Sequence, residues 1–407
     1  MKTMHQWITT VAGGAILIGA VNVLAQDWPQ WRGPNRDDKV SGFTAPEQWP
    51  SALKEKWKKT VGVGDATPAL VGDRLYVFVR QGEDEVTLCM NAEDGKKLWE
   101  NKYAAQAVTG PAARHPGPRS SPEVADGKVV TLGVGGVLSC LDAATGKELW
   151  RKDEFPKLVP QFFTGMSPII VDGMCIAHLG GKDNGAVMAF DLATGNLKWK
   201  WTGDGPAYSS PILMTVEGTK QVVVLTEKNL VGIAVSDGKL LWETPASTQP
   251  RFYNSATPIV DGQKVVLTGQ GRGTKAIEIE KQGNNFAVKN LWTNEKVGTG
   301  FSTPVLKNGF LFGLSDRGFL FCLNASNGEV AWIDNTRREG FGAVLDAGSV
   351  VLALPSNSEL VVFKPAEQRY EELAKIKVAD TPVYAHPVIA GNRVYVKDNE
   401  TLTLWTF

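Results

Sequence analysis

The side chains able to do chemistry are few and scattered. Histidines stand at His5, His115, His178 and His386, and the first falls in an apolar leader. The other three are far apart in the chain with no metal-ligand spacing, so solvated or hydrogen-bonded roles are expected for each. Cys89, Cys140, Cys175 and Cys322 make neither a Cys-x-x-Cys-His haem attachment nor a zinc spacing. Spacing alone does not exclude a Ser-His-Asp triad, but no nucleophile elbow supports one. Gly269-Gln270-Gly271-Arg272-Gly273 has the composition of a phosphate loop without a following helix to supply the N-terminal amides, so a turn is expected. Glu83-Asp84-Glu85 reads as a solvated hairpin tip. No catalytic residue and no metal ligand is assigned from these signals.

Charge narrows the partners. Lys plus Arg and Asp plus Glu both total 43 in 407 residues, so the net charge is zero. A surface built to grip a phosphate backbone would be basic, so nucleic acid is not expected as a partner. The chain also carries 43 glycines and 13 tryptophans. Many turns, each with an aromatic anchor, point to a repeat.

The first 25 residues read as a secretory signal. Lys2 opens it, an apolar stretch runs from Trp7 to Val21, and Val23-Leu24-Ala25 offers small residues for cleavage after Ala25. An uncleaved membrane anchor is the other reading, but the apolar stretch is short. No cysteine stands at the cut, so no lipid anchor is expected, and no other segment is apolar enough to be a transmembrane span. The expected location is the periplasm or the exterior.

The repeat has two landmarks. Ser/Thr-Pro followed by β-branched residues and a Gly turn opens each unit, as in Ser167-Pro168-Ile169-Ile170-Val171-Asp172-Gly173. Leu141-Asp142-Ala143-Ala144-Thr145-Gly146-Lys147-Glu148-Leu149-Trp150 shows how units close. Openers fall at Pro68, Pro122, Pro168, Pro211, Pro258, Pro304 and Pro387. Closing tryptophans fall at Trp57, Trp99, Trp150, Trp199, Trp242, Trp292 and Trp332. One unit, between Gly342 and Leu373, lacks both landmarks but keeps its alternating strands. Units of roughly 40 to 54 residues with strand-like runs predict an all-β, eight-bladed propeller of four-stranded antiparallel blades. Leu53–Lys58 carries a closing tryptophan without an opener, so it is expected to complete the last blade beside Val394 and Leu404 and close the ring. Residues 26–52 are then a lead-in, and 53–407 a single propeller domain.

Each landmark has a physical task. The Asp caps the turn amides and the Gly takes a positive φ. Each closing tryptophan is expected to wedge between neighbouring blades, its N–H on a backbone carbonyl. Cys89, Cys140 and Cys322 occupy one repeat position, aligned with Ala189 and Ala234 elsewhere, and Cys175 lies in another strand. Equivalent positions in different blades are too far apart to pair, so four buried free thiols are expected.

These repeats resemble the quinoprotein-type repeat of pyrroloquinoline-quinone (PQQ) alcohol dehydrogenases and of the propeller subunit of the outer-membrane β-barrel assembly machinery. Asp27-Trp28-Pro29-Gln30-Trp31-Arg32-Gly33-Pro34 is similar to the start of exported bacterial propellers of that superfamily. The resemblance covers residues 27–407 and implies the fold. The dehydrogenase branch implies PQQ and calcium in the central funnel, with vicinal cysteines and an aromatic floor. This chain has no Cys-Cys and no calcium ligand that can be carried over. No cofactor is therefore expected, with a PQQ- and Ca-dependent dehydrogenase as the alternative.

Residues just before each opener enter the inner strands and should ring one channel mouth. They are Asp65, Arg119, Phe163, Tyr208, Tyr253 with Asn254, Phe301, Phe341, and Tyr384 with His386. Their rings either pack between inner strands or form a rim that docks a protein, a peptide, a glycan or a small planar ligand. The loop carrying Arg114 and His115 should project beside that rim. The function expected is a non-catalytic binding scaffold of the cell envelope.

Overall fold

The computed structural model describes residues 27–246 and 253–407; the secretory signal expected over the first 25 residues, with its cut after Ala25, lies outside the described residues. Among these, strands form eight separate four-stranded antiparallel sheets. Blades 1 to 7 span 69–104, 123–152, 169–202, 212–245, 259–294, 305–333 and 342–377. Blade 8 takes three strands from 388–406 and its outermost from Lys54–Thr60, with Trp57 opposite Leu404. First and last segments thus share one sheet, which closes the ring and leaves no blade without a neighbour.

Turn chemistry follows the motif. Asp191 Oδ1 accepts the amide of Thr194 at 2.9 Å and its hydroxyl at 2.9 Å, and Gly195 reverses the chain at φ +71°. The turn glycine has a second task, because the tryptophan of the preceding blade lies over it. A Cβ on Gly195 would fall 2.7 Å from the Trp150 ring, and one on Gly238 2.6 Å from Trp199. The ring N–H then reaches a carbonyl of that neighbouring blade. Trp57 donates to Ala92, Trp99 to Ala143, Trp150 to Leu192, Trp199 to Val235, Trp292 to Ala325 and Trp332 to Ala366, all within 2.8–3.2 Å.

Trp242 departs from this pattern. Blade 5 has no Asp-x-x-Thr-Gly turn to receive it, because its outer strands Gly273–Gln282 and Asn285–Asn294 form a long plain hairpin. Trp242 instead folds onto its own sheet and donates to Gln221 Oε1 at 2.6 Å. Gly232 stands opposite it, and any larger side chain there would collide with the indole. This corrects the repeat alignment: the blade 4 counterpart of Cys89 and Cys140 is Gly232, not Ala234. In blades 1, 2, 3, 5 and 6 the residue facing the tryptophan is Cys89, Cys140, Ala189, Ala276 and Cys322. A small residue is required wherever an indole lies across the pair.

The lead-in does not hang outside the ring: residues 28–40 fill the central channel. The amide of Trp28 donates to Leu70 O in blade 1 at 2.7 Å, and Pro29 O accepts Val124 of blade 2 at 2.8 Å. Arg36 bonds Glu123 of blade 2 at 2.6 Å, Pro168 O of blade 3, and Pro211 O of blade 4 at 2.9 Å. Trp31 Nε1 donates to Thr257 of blade 5 at 3.1 Å, and Arg32 to Pro304 O of blade 6 at 3.2 Å. Val40 N donates to Asp346 O of blade 7 at 2.8 Å, and Asp38 Oδ1 lies 3.1 Å from His386 Nδ1 of blade 8. The segment therefore touches all eight blades. Arg32, Arg36 and Asp38 are fully buried, and Arg32 is paired with Asp38. Burial pushes the Glu123 carboxyl up to about 7 against the opposing pull of Arg36. Asp27 Oδ1 accepts Gly72 N at 2.8 Å, in the first hairpin turn of blade 1. The plug enters from that face, and Trp31 is the part of it that reaches the opposite mouth.

The opener hydroxyls form a belt around the plug. Thr67 N donates to Ser121 Oγ at 3.1 Å, Ser121 N to Ser167 Oγ at 2.9 Å, and Ser167 N to Ser210 Oγ at 2.9 Å. Thr257 N reaches Thr303 Oγ1 at 3.0 Å, and His386 N reaches Thr67 Oγ1 at 2.9 Å. Five opener hydroxyls, those of Thr67, Ser121, Ser167, Ser210 and Thr303, thus each satisfy a buried amide of the neighbouring blade, while that of Thr257 accepts Trp31 Nε1.

Candidate functional site

Opposite the plug's entrance, the segments before the openers surround a cavity of about 360 Å³. Its floor is Trp31, whose ring centroid lies 4.3 Å from that of His386. Its walls are Phe162, Tyr208, Tyr253, Phe301, Phe341 and Tyr384. These rings touch in two arcs. Phe162 and Tyr208 meet Tyr253 edge-on at 5.7 and 5.1 Å. Phe301 stacks on Phe341 at 4.4 Å and 13°, Phe341 meets Tyr384 at 5.6 Å, and Tyr384 meets His115 at 4.7 Å. Phe301 and Phe341 are 42% and 39% exposed, a pairing of large apolar side chains left open to solvent.

Most polar groups of the wall are committed to the fold. Tyr208 Oη donates to Phe162 O, and Tyr253 Oη to Pro206 O at 3.0 Å. Burial pushes the Tyr208 hydroxyl up to about 12 and Tyr253 higher still, so both remain protonated donors. Asp65 Oδ2 lies 2.7 Å from His115 Nδ1. Arg119 donates from Nη2 to His115 O at 2.7 Å. This bond folds the short 3-10 turn Gly110–Arg114 and the loop after it against the mouth.

Asp65, Arg119, Tyr208, Tyr253, Phe301, Phe341, Tyr384 and His115 are brought together here. Four other expected residues are not. Phe163 sits at φ +67°, which turns its ring away into a small cluster with Ala112 and Val134 and places Phe162 in the wall instead. Asn254 is buried and its Nδ2 donates to Thr226 O at 2.8 Å and Ala246 O at 3.1 Å, a tie between loops. His386 lies beneath the cavity, behind Trp31. Arg114 is exposed on the turn and does not line the cavity. Glu85 also departs from expectation: it is buried, bonded to Tyr103 Oη, and accepts Val134 N at 2.8 Å. Gln270–Arg272 is a turn, as its composition suggested.

Trp31 and Phe162 were missed by sequence reasoning. Trp31 belongs to no repeat. Phe162 was hidden by its neighbour, and only the backbone angle at Phe163 decides which ring faces inward. Outside the Phe301–Phe341 pair lies a second, polar hollow of about 450 Å³, bordered by Asp316, Arg317, Arg337 and Glu339.

Comparison with known proteins follows the same lines. The family model described as outer membrane protein assembly factor BamB matches residues 112–334. A curated relative of that name from Yersinia pestis is 24% identical over 280 residues, 66% of this chain and 63% of its own length. The namesake from Burkholderia pseudomallei is 24% identical over 360 residues, covering 84% of this chain and 85% of its own. This chain therefore spans less than two thirds of the first relative and most of the second. The solved quinohemoprotein alcohol dehydrogenase of Comamonas testosteroni superposes with a TM-score of 0.66 at 17% identity, over 94% of this chain and 80% of that one. That likeness shows the shared propeller fold.

Proposed function

The chain belongs to the family described as outer membrane protein assembly factor BamB, and on that premise we propose that it is an exported, non-catalytic propeller scaffold serving outer-membrane protein assembly. Its partner is a protein or peptide that docks at the aromatic channel mouth. The observation carrying this reading is the exposed Phe301–Phe341 stack beside the Trp31-floored cavity. Solvent-exposed rings of this size at the centre of a concave surface are the usual anchors of an interface. Among the described residues no helix is long and apolar enough to cross a membrane.

The dehydrogenase alternative fits the mouth poorly. PQQ carries several carboxylates and is held with a calcium ion. Among the described residues the cavity lining offers a single guanidinium, Arg119, and a single carboxylate, Asp65, already bonded to His115. No cluster of three or more His, Cys, Asp or Glu suited to a metal occurs among the described residues. The donor set therefore does not match the cofactor, and no catalytic step is derived through it.

The test is capture of envelope partners by the mature chain carrying Phe301→Ala and Phe341→Ala. Melting should shift little, since both rings are substantially exposed. Partner affinity should fall by about 2 kcal/mol or more. Full binding by this variant would remove the mouth from the interface. A spectral change on adding PQQ and Ca²⁺, with dye reduction by an alcohol, would favour the alternative.

A further inference from the structure

Building on the reading that binding occurs at this mouth, we infer that the Trp31-floored cavity takes a flat aromatic ring bearing one carboxylate. Size and lining select the ring. An apolar cavity of about 150 Å³ suffices for benzene, and this one holds about 360 Å³. A bicyclic ring with a short acidic arm fits that space. Trp31 offers a floor, and the Tyr208–Tyr253 and Phe341–Tyr384 pairs offer edges and faces for offset or T-shaped contacts.

Charge selects the acid. Asp65 is answered by His115 at 2.7 Å. Buried Lys397, whose Nζ donates to Gly64 O at 3.1 Å, adds a positive charge near it. Arg119 is different. Among the described residues no carboxylate lies within ion-pair distance of it, and its Nη1 has no hydrogen-bond partner. Its guanidinium carbon lies 5.9 Å from the Tyr208 ring centroid, in the cavity wall. Its charge acts on the buried Glu85 carboxyl, but with no direct ion pair it can still attract an anion in a wall of low polarity. Because it is the only arginine or lysine in that lining among the described residues, it matches one carboxylate and not a polyanion.

The remaining polar groups argue against a sugar. Tyr208 and Tyr253 hydroxyls are spent on backbone carbonyls, and Ser167 and Ser210 hydroxyls accept backbone amides. Few donors or acceptors are left to replace the water around a polyhydroxylated ring.

Isothermal titration of the full mature chain with indole-3-acetate and with the neutral, nearly isosteric indole-3-acetamide tests this. The acid should bind at least tenfold tighter than the amide. Arg119→Gln should bring the acid down to the affinity of the amide and leave the amide unchanged. Absence of binding by both, equal binding by both, or equal loss of both in Arg119→Gln would overturn the inference. If the variant does not fold, the acid-to-amide ratio on the unaltered chain decides alone. Capture of envelope partners is a separate readout, so a failed scaffold reading and a failed acid preference remain distinguishable.

Discussion

Gly195 and Trp150 meet face to face across the boundary between blades 2 and 3. A Cβ on Gly195 would fall 2.7 Å from the indole, and the residue also sits at φ +71°. One glycine is thus held by two independent constraints, one local and one imposed by the neighbouring blade.

Alanine at two glycines separates those constraints. Gly173, at φ +69°, has open space around its missing Cβ. Gly173→Ala should cost about 1 kcal/mol, the strain of a left-handed residue. Gly195→Ala should cost that plus an overpacking penalty, roughly 2–4 kcal/mol in all. Chemical denaturation of the two variants side by side checks the difference; equal losses would mean that the indole yields freely.

The channel plug should be a major element of stability. Arg36→Met leaves Glu123 buried without its cation and should cost roughly 3–5 kcal/mol. Adding Glu123→Gln, which keeps an acceptor for the amide of Ile170 at 2.7 Å, should recover roughly 1 kcal/mol or more. A double variant no better than the single one would show that Arg36 acts through its carbonyl contacts.

Acid should weaken the fold through His178. Burial lowers this imidazole from 6.5 to about 4, and its Nε2 lies 2.9 Å from Asp204 O. The folded state holds the ring neutral, whereas the unfolded state takes up a proton below about 6.5. Stability from this group is therefore complete above 6.5 and lost as pH falls from 6.5 through about 4, by roughly 3 kcal/mol at most. Glu123 acts in the opposite sense, since its raised carboxyl makes the folded state costlier as pH climbs from 4.5 to about 7. His178→Gln should flatten the first slope and leave the second, as read from denaturation midpoints across that range.

Thiol chemistry should be silent until unfolding. Cys89, Cys140, Cys175 and Cys322 are all free and buried. Burial pushes Cys89 up to about 11, Cys140 and Cys322 to about 12, and Cys175 well above the usual thiol range. A thiol-specific reagent at neutral pH should label almost none in the native protein and all of them in denaturant without reductant. Fewer than four after denaturation would reveal a bridge.

Blade architecture was legible in the chain because its signals are local and periodic. Asp191-x-x-Thr194-Gly195 makes its turn from contacts within five residues, and the tryptophan spacing carries the ring count. Even the closing strand was legible, since Trp57 lacks an opener and the last blade lacks an edge. Trp242 shows the limit of that reading: its indole lost its seat because the next blade, not its own, lacks the turn. The plug shows it more plainly. Trp31, Arg32 and Arg36 follow no repeat, and their partners at Thr257, Pro304 and Pro211 lie more than 170 residues away. At the mouth, most of the residues expected there do line the cavity, yet one positive φ at Phe163 exchanged which ring faces it. Sequence alone determined the blades, their turns and their closure, because each depends on short-range backbone preference and period. Only the tertiary structure decided what fills the channel and which rings line its mouth, because those depend on long-range contacts that no local pattern encodes.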